Sequence, residues 1–171
     1  MKIEKKFFKN VLVFKIDKYR DKRGSFFETY NETKIKKYFK KKFLYDAIST
    51  NKKNVFRGFH YQTKFKQSKL VQVLEGKIID IVVDIKKKSK TYLQYRKIIL
   101  SESNNRMIYI PEGYAHGFYV LSKKAIISYK ISNKYKKKYE KTIYWNDNRL
   151  NFNLFKRKKH KVIFSKKDSE K

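Results

Sequence analysis

The 171-residue chain has no Cys, one Pro and five Gly, and its acidic side chains are few, 15 Asp+Glu against 46 Lys+Arg. Without Cys there is no disulfide, no thiolate zinc site and no cysteine nucleophile, which suits a reducing compartment. No Pro/Gly/Ser tract, linker or internal repeat interrupts the chain. Long apolar runs are missing too. The most apolar stretch, KIIDIVVDI at 77–85, is broken by Asp80 and Asp84, whereas a membrane-spanning helix needs about 20 apolar residues. The N-terminal MKIEKKFFKNVLVFKID is basic, but Lys9 and Asn10 interrupt its apolar part and no small-residue cleavage site follows. The expectation is therefore no signal peptide, no membrane partner and a cytoplasmic location.

What is present is enough to fold. The formal net charge is +31, yet 40% of the residues are apolar and 17% aromatic, which places the chain outside the disordered class. The length suits one domain, residues 1–171, around one core. A nucleic-acid partner would call for a localised basic patch rich in Arg. Here only seven of the cationic residues are Arg, and Lys runs from Lys2 to Lys171. That spread reads as a solvent face biased towards Lys, and it weighs against nucleic acid as a partner, although the field still draws anionic ligands.

Strand-length apolar runs recur along the chain: Asn10–Asp17, Ser25–Tyr30, Phe43–Thr50, Val55–Gln62, Tyr92–Leu100, Met107–Ile110, His116–Leu121 and Ala125–Ile131. Lys69–Leu74, Glu75-Gly76 and Lys77–Ile85 read as a hairpin with Gly in its turn. One short amphipathic helix is predicted between Asn31 and Lys42, with Asn31 as cap and Ile35, Tyr38 and Phe39 on one face. Many short strands with little helix predict an all-β antiparallel jelly-roll barrel with a few short peripheral helices. The apolar residues between Glu140 and Lys171, among them Trp145, Phe152, Phe155 and Phe164, should pack back on that barrel.

Two of the three His stand in distinctive surroundings. His60 lies in NVFRGFHYQ at 54–62, where strand alternation predicts Phe56, Gly58, His60 and Gln62 on one face and Val55, Arg57, Phe59 and Tyr61 on the other. His116 lies in IPEGYAHGF at 110–118, where a Pro-x-Gly turn should set the imidazole at a barrel mouth. His160, within KRKKHK at 156–161, is expected to be solvated. Jelly-roll metal sites usually use a His-x-His pair with a carboxylate and a further His. Position 62 is Gln, so no metal site is expected. Arg23, Arg57 and Lys69 sit beside these motifs, and Arg suits the oxygens of a diphosphate.

The segments DKRGSFFE (21–28), NVFRGFHYQ (54–62), QSKLV (67–71), GKIIDIVVD (76–84), PEGYAHGF (111–118), SYK (128–130), Glu140 and IYWND (143–147) come in an order that resembles the dTDP-4-dehydrorhamnose 3,5-epimerase family. The resemblance runs from about residue 10 to Asp168. It implies a cupin-type jelly roll, a homodimer, no metal and no organic cofactor, and inversion of C3 and C5 of dTDP-4-dehydro-6-deoxy-D-glucose on the way to the rhamnose of cell-surface polysaccharides. By position, His60 resembles the base, Asp168 its orienting partner, Tyr129 the acid, and Lys69 a stabiliser of the enolate. Arg23, Glu28, Arg57, Lys69, His116, Glu140 and Lys167 would hold the nucleotide and sugar, Arg23 and Glu28 serving the site of a partner subunit.

This chain departs from the family pattern in three places. Tyr45-Asp46-Ala47 stands where Gln-Asp-Asn is usual, the loop between His60 and Lys69 is one residue short, and Lys137 replaces a Pro. Rival readings are a single-centre epimerase or ketoisomerase of the same fold, a nucleic-acid-binding barrel, or a non-catalytic cupin.

Overall fold

The structure, a computed structural model, describes residues 1–155 and 161–169. Along β2 (Val11–Lys15) four consecutive side chains are buried, so both faces of this strand are covered. Val11 and Val13 enter a core between two sheets, while Leu12 and Phe14 enter a second cluster outside. Such a strand belongs to the middle of a layered β-protein.

β2 lies in a six-stranded sheet with β1 (Lys2–Phe7), β5 (Tyr45–Lys52), β7 (Lys69–Glu75), β10 (Arg106–Ile110) and β12 (Lys124–Ile131), in the order β1-β2-β10-β7-β12-β5. The facing five-stranded sheet contains β6 (Phe56–Gln62), β8 (Lys77–Asp84), β9 (Tyr95–Ser101), β11 (Tyr114–Val120) and β13 (Glu140–Thr142), ordered β13-β6-β11-β8-β9. Strand neighbours in the two sheets pair antiparallel, and most are distant in sequence. This is the antiparallel jelly roll that the strand pattern predicts, of the cupin type that the resemblance implies. β3 (Lys18–Asp21) and β4 (Gly24–Phe27) form a separate, exposed two-stranded arm.

The Glu75-Gly76 turn does not close a hairpin. β7 and β8 belong to opposite sheets, so the single residue Gly76 carries the chain from one to the other. It does so at φ +84°, where a Cβ would lie 2.1 Å from the carbonyl oxygen of Lys124. Only Gly fits there. The helix is also shorter than its pattern. α1 spans Glu32–Ile35, with the Asn31 side chain accepting from the Lys34 amide. Five Lys follow within seven residues, 36–42, and a helix this short gains little on its own. Ile35, Tyr38 and Phe39 nevertheless cover the outer face of the six-stranded sheet, and Phe39 stacks on Tyr109 at 3.7 Å between centroids.

The chain after β13 covers the other outer face. Leu150, Phe152 and Phe155 bury against Phe56, Phe59, Ile81 and Val83. Ile163 leaves its side chain half exposed, but its backbone bridges Val55. Among the described residues no helix is long and apolar enough to cross a membrane.

Candidate active site

The site begins with an irregularity between β6 and β11. His116 pairs with His60 and Phe118 with Arg57, so two residues of β6, Gly58 and Phe59, stand opposite the single Gly117. This β-bulge breaks the alternation read from the sequence. Phe56 and Phe59 both enter the outer aromatic cluster, and Arg57 and His60, expected on opposite faces, line the same cavity. The bulge needs its glycines: a Cβ on Gly58, at φ +131°, would lie 2.5 Å from the Gly117 Cα.

Between the sheets at this end lies a cavity with two lobes, of about 390 and 460 Å³, which share His60, Gln67, Lys69 and His116. The first lobe extends towards Lys66, Lys86 and Tyr114. The second is lined by Ser49, Arg57, Tyr129, Tyr135 and Glu140. His60 comes from the five-stranded sheet, Lys69 and Tyr129 from the six-stranded one, so the cavity wall is assembled from both layers.

Each of the two imidazoles that line the cavity is paired with a carboxylate. His60 Nε2 lies 2.6 Å from Asp168 Oδ1, and Ser165 donates to the other Asp168 oxygen at 3.0 Å. Burial by itself would raise the Asp168 carboxyl, but the His60 and Ser165 hydrogen bonds and the nearby His60 and Lys167 charges hold it below its usual value. His116 Nε2 lies 2.7 Å from Asp80 Oδ2, with both residues buried. The Tyr129 ring meets His116 edge to face at 6.4 Å.

Lys69 keeps some exposure through the cavity mouth, yet its ammonium is surrounded by protein. Desolvation lowers its pKa to about 8, against the opposing pull of Glu140 and Asp80. Burial pushes the Tyr129 phenol well above its usual value, with the Ser49 hydrogen bond acting the other way. Burial also favours a raised Glu140 carboxyl, but hydrogen bonds from Lys167 and Tyr135 outweigh it and leave Glu140 lowered.

Of the residues singled out in the sequence, His60, Lys69, Arg57, His116, Tyr129 and Glu140 line the cavity. Asp168 reaches it through His60, and Lys167 through its ion pair with Glu140. Arg23 and Glu28 do not reach it. Arg23 pairs with Asp21 on the exposed arm, and Glu28 pairs with Lys34. His160 lies outside the described residues. Among the described residues no three His, Cys, Asp or Glu are grouped as metal ligands.

Sequence reasoning passed over Asp80, Ser49 and Asn51. Asp80 had a signal: a carboxylate inside an apolar strand needs a partner. Ser49 and Asn51 had none beyond their spacing of two along a strand.

A family model described as dTDP-4-dehydrorhamnose 3,5-epimerase matches residues 5–171. The chain is similar to the dTDP-4-dehydrorhamnose 3,5-epimerase of Salmonella typhimurium, 42% identical over 141 residues, covering 81% of this chain and 77% of that protein. It is 39% identical over 137 residues to the Methanothermobacter thermautotrophicus protein of the same name, covering 80% and 74%. In structure it is similar to the dTDP-6-deoxy-D-glucose-3,5-epimerase of Legionella pneumophila in complex with dTDP-4-keto-L-rhamnose. The TM-score is 0.90 at 34% identity, covering 98% of this chain and 89% of that one.

Proposed function

Because the chain belongs to the dTDP-4-dehydrorhamnose 3,5-epimerase family, we propose that its cavity takes dTDP-4-dehydro-6-deoxy-D-glucose and inverts C3 and C5 by proton exchange between His60 and Tyr129. The protein is an epimerase of dTDP-L-rhamnose biosynthesis. Both carbons flank the C4 ketone, so loss of either proton gives an enolate. His60 takes the proton, and Asp168 on its Nε2 fixes the tautomer and favours the imidazolium that forms. Lys69, whose ammonium keeps its charge below about pH 8 and faces the cavity, stabilises the developing oxyanion.

Tyr129 returns a proton to the opposite face. Its raised pKa keeps the phenol protonated until a strong base, the enolate, stands before it. Arg57 donates one N–H to Asn51 and offers the rest of its guanidinium to the diphosphate. His116, Glu140 and Lys167 hold the sugar and nucleotide. In a homodimer the exposed arm would bring Arg23 and Glu28 to the partner's cavity. A cytoplasmic place of work fits a chain without Cys.

The observation that carries this reading is the His60–Asp168 pair, Nε2 to Oδ1 at 2.6 Å, in a wall shared with Tyr129. The test is turnover in D₂O, coupled to a reductase of the product and read by NMR. Deuterium at both C3 and C5 is expected. Label at one position would make this a single-centre enzyme, and no turnover together with tight, salt-sensitive DNA binding would replace the reading altogether.

A further inference from the structure

Asn51 is 3% exposed, and the steps above give it no part beyond accepting from Arg57. It sits two residues after Ser49 on β5, so both side chains face the same way, and β5 pairs along its length with β12, which carries Tyr129. Its amide can be oriented in one way only. Arg57 Nε, 2.8 Å away, is a donor with no lone pair, so the atom facing it is Oδ1. Nδ2 then points at Ser49, donating to its hydroxyl at 3.0 Å and to its carbonyl at 3.2 Å.

That orientation sets the next bond. Ser49 Oγ accepts from Asn51, and its other hydrogen-bond neighbour among the described residues is the Tyr129 hydroxyl, at 3.4 Å. In that pair either oxygen could donate. If Tyr129 donated, the half-buried Ser49 hydroxyl would accept twice and turn its hydrogen into the cavity; if Ser49 donates, the Tyr129 hydrogen is the one that faces the cavity, where a substrate would take it. With Asn51 presenting only its N–H to Ser49, the protein acceptor left for the Ser49 hydrogen is the Tyr129 oxygen, which gives the direction Asn51 to Ser49 to Tyr129.

We infer that Asn51 is a positioning residue: anchored by Arg57, it fixes the direction of the Ser49–Tyr129 hydrogen bond and so turns the phenolic proton of Tyr129 into the cavity. The inference rests on Tyr129 being the acid of the proposed reaction. The balance is simple. The phenol gives its proton to the enolate carbon, and the phenolate left behind keeps the hydrogen bond that Ser49 donates. The same chain ties the diphosphate-facing Arg57 to the acid through one buried amide.

Asn51→Asp tests this with little change of shape. A carboxylate still accepts from Arg57 but cannot donate, so the Ser49 hydrogen turns towards position 51 and Tyr129 must donate to Ser49. Removal of the substrate proton by His60 should persist, while its delivery to the opposite face fails. The expected result is inversion reduced by roughly tenfold or more, up to the about 10²–10⁴-fold that a general acid contributes, with solvent exchange of the C3 and C5 hydrogens within about threefold of wild type and dTDP affinity retained.

Ser49→Ala should give the same split, and the double variant should be no worse than the more impaired single one. Equal loss of exchange and inversion would assign Asn51 a merely structural part, and unchanged inversion, or additive losses, would remove it from the path to Tyr129. Both results overturn the inference. If the wild-type protein itself inverts neither centre, the proposed reaction fails, and that outcome is distinct from wild-type turnover with an indifferent Asn51→Asp.

Discussion

Asp168 meets His60 across 108 residues of sequence, Oδ1 to Nε2 at 2.6 Å. The carboxylate arrives on a turn near the end of the chain, where the Asp168 amide donates to the Ser165 carbonyl and the Ser165 hydroxyl donates to Asp168. The far end of the chain thus completes a pair whose other half lies in the five-stranded sheet. Asp168→Asn keeps the shape but removes the charge that favours the imidazolium. Turnover should fall by about 10²–10⁴-fold, the range for a disabled acid–base group, with an unchanged far-UV CD spectrum. Wild-type turnover in Asp168→Asn would end its role as orienting partner.

Much of this arrangement was legible in the sequence, for identifiable reasons. The strands and the aromatic cover were carried by local pattern, and His60, His116 and Tyr129 by motifs at fixed spacing. The bulge at Gly58 was not legible, because alternation assumes a regular ladder and Gly58 gives no side chain to betray the slip. Arg57 therefore turned out to share the cavity with His60. The Glu75-Gly76 turn was misjudged for a related reason. A Gly between two apolar runs is compatible with a hairpin and with a change of sheet, and only the long-range pairing of β7 with β10 and β12 decides it. Asp80 was read as an interruption of an apolar run, when it is the buried partner of His116. Pairwise chemistry between distant strands has no local signature.

Lys69 sets an alkaline limit. Its pKa is lowered to about 8 by desolvation, so above that pH it loses the charge proposed to stabilise the enolate. The rate should decline with an apparent pKa near 8, and in Lys69→Gln that limb should vanish from a slower enzyme. Stability moves the other way. Between about 8 and the ordinary Lys value of 10.5 the unfolded chain holds a proton that the folded one has released, so Lys69 makes the fold more stable as pH rises through that window. A rate profile in Lys69→Gln identical in shape to wild type would detach Lys69 from the alkaline limb.

The glycine contact beneath the site predicts a joint loss of stability and activity. At Gly58 an added methyl meets backbone, the Gly117 Cα at 2.5 Å and the His116 carbonyl oxygen at 2.9 Å, and the φ of +131° is itself unfavourable for any other residue. Gly58→Ala should cost about 2 kcal/mol or more, measured by urea unfolding. The strands must separate where Arg57 and His60 flank the bulge, so residual activity should show a raised KM and a lowered kcat together. Unaltered stability would mean that the close approach of β6 and β11 relaxes without strain.

The single Trp gives a direct view of the turn that delivers Asp168. Trp145 donates its indole N–H to the Ser169 carbonyl at 2.7 Å, and Phe164 stacks on its ring at 5.5 Å between centroids. These contacts bracket Asp168 on both sides in sequence and hold the end of the chain against the outer face of the barrel. Phe164→Ala removes aromatic contacts to Trp145, Phe56 and Phe155, each worth about 1 kcal/mol, lies outside the cavity and leaves Asp168 intact. Its Trp145 emission should shift to the red as water reaches the ring. Turnover should fall several-fold because Asp168 spends less time on His60, and a saturating substrate that favours the docked turn should shift the emission part of the way back. A red shift with wild-type turnover would show that the His60–Asp168 pair holds without the aromatic clasp.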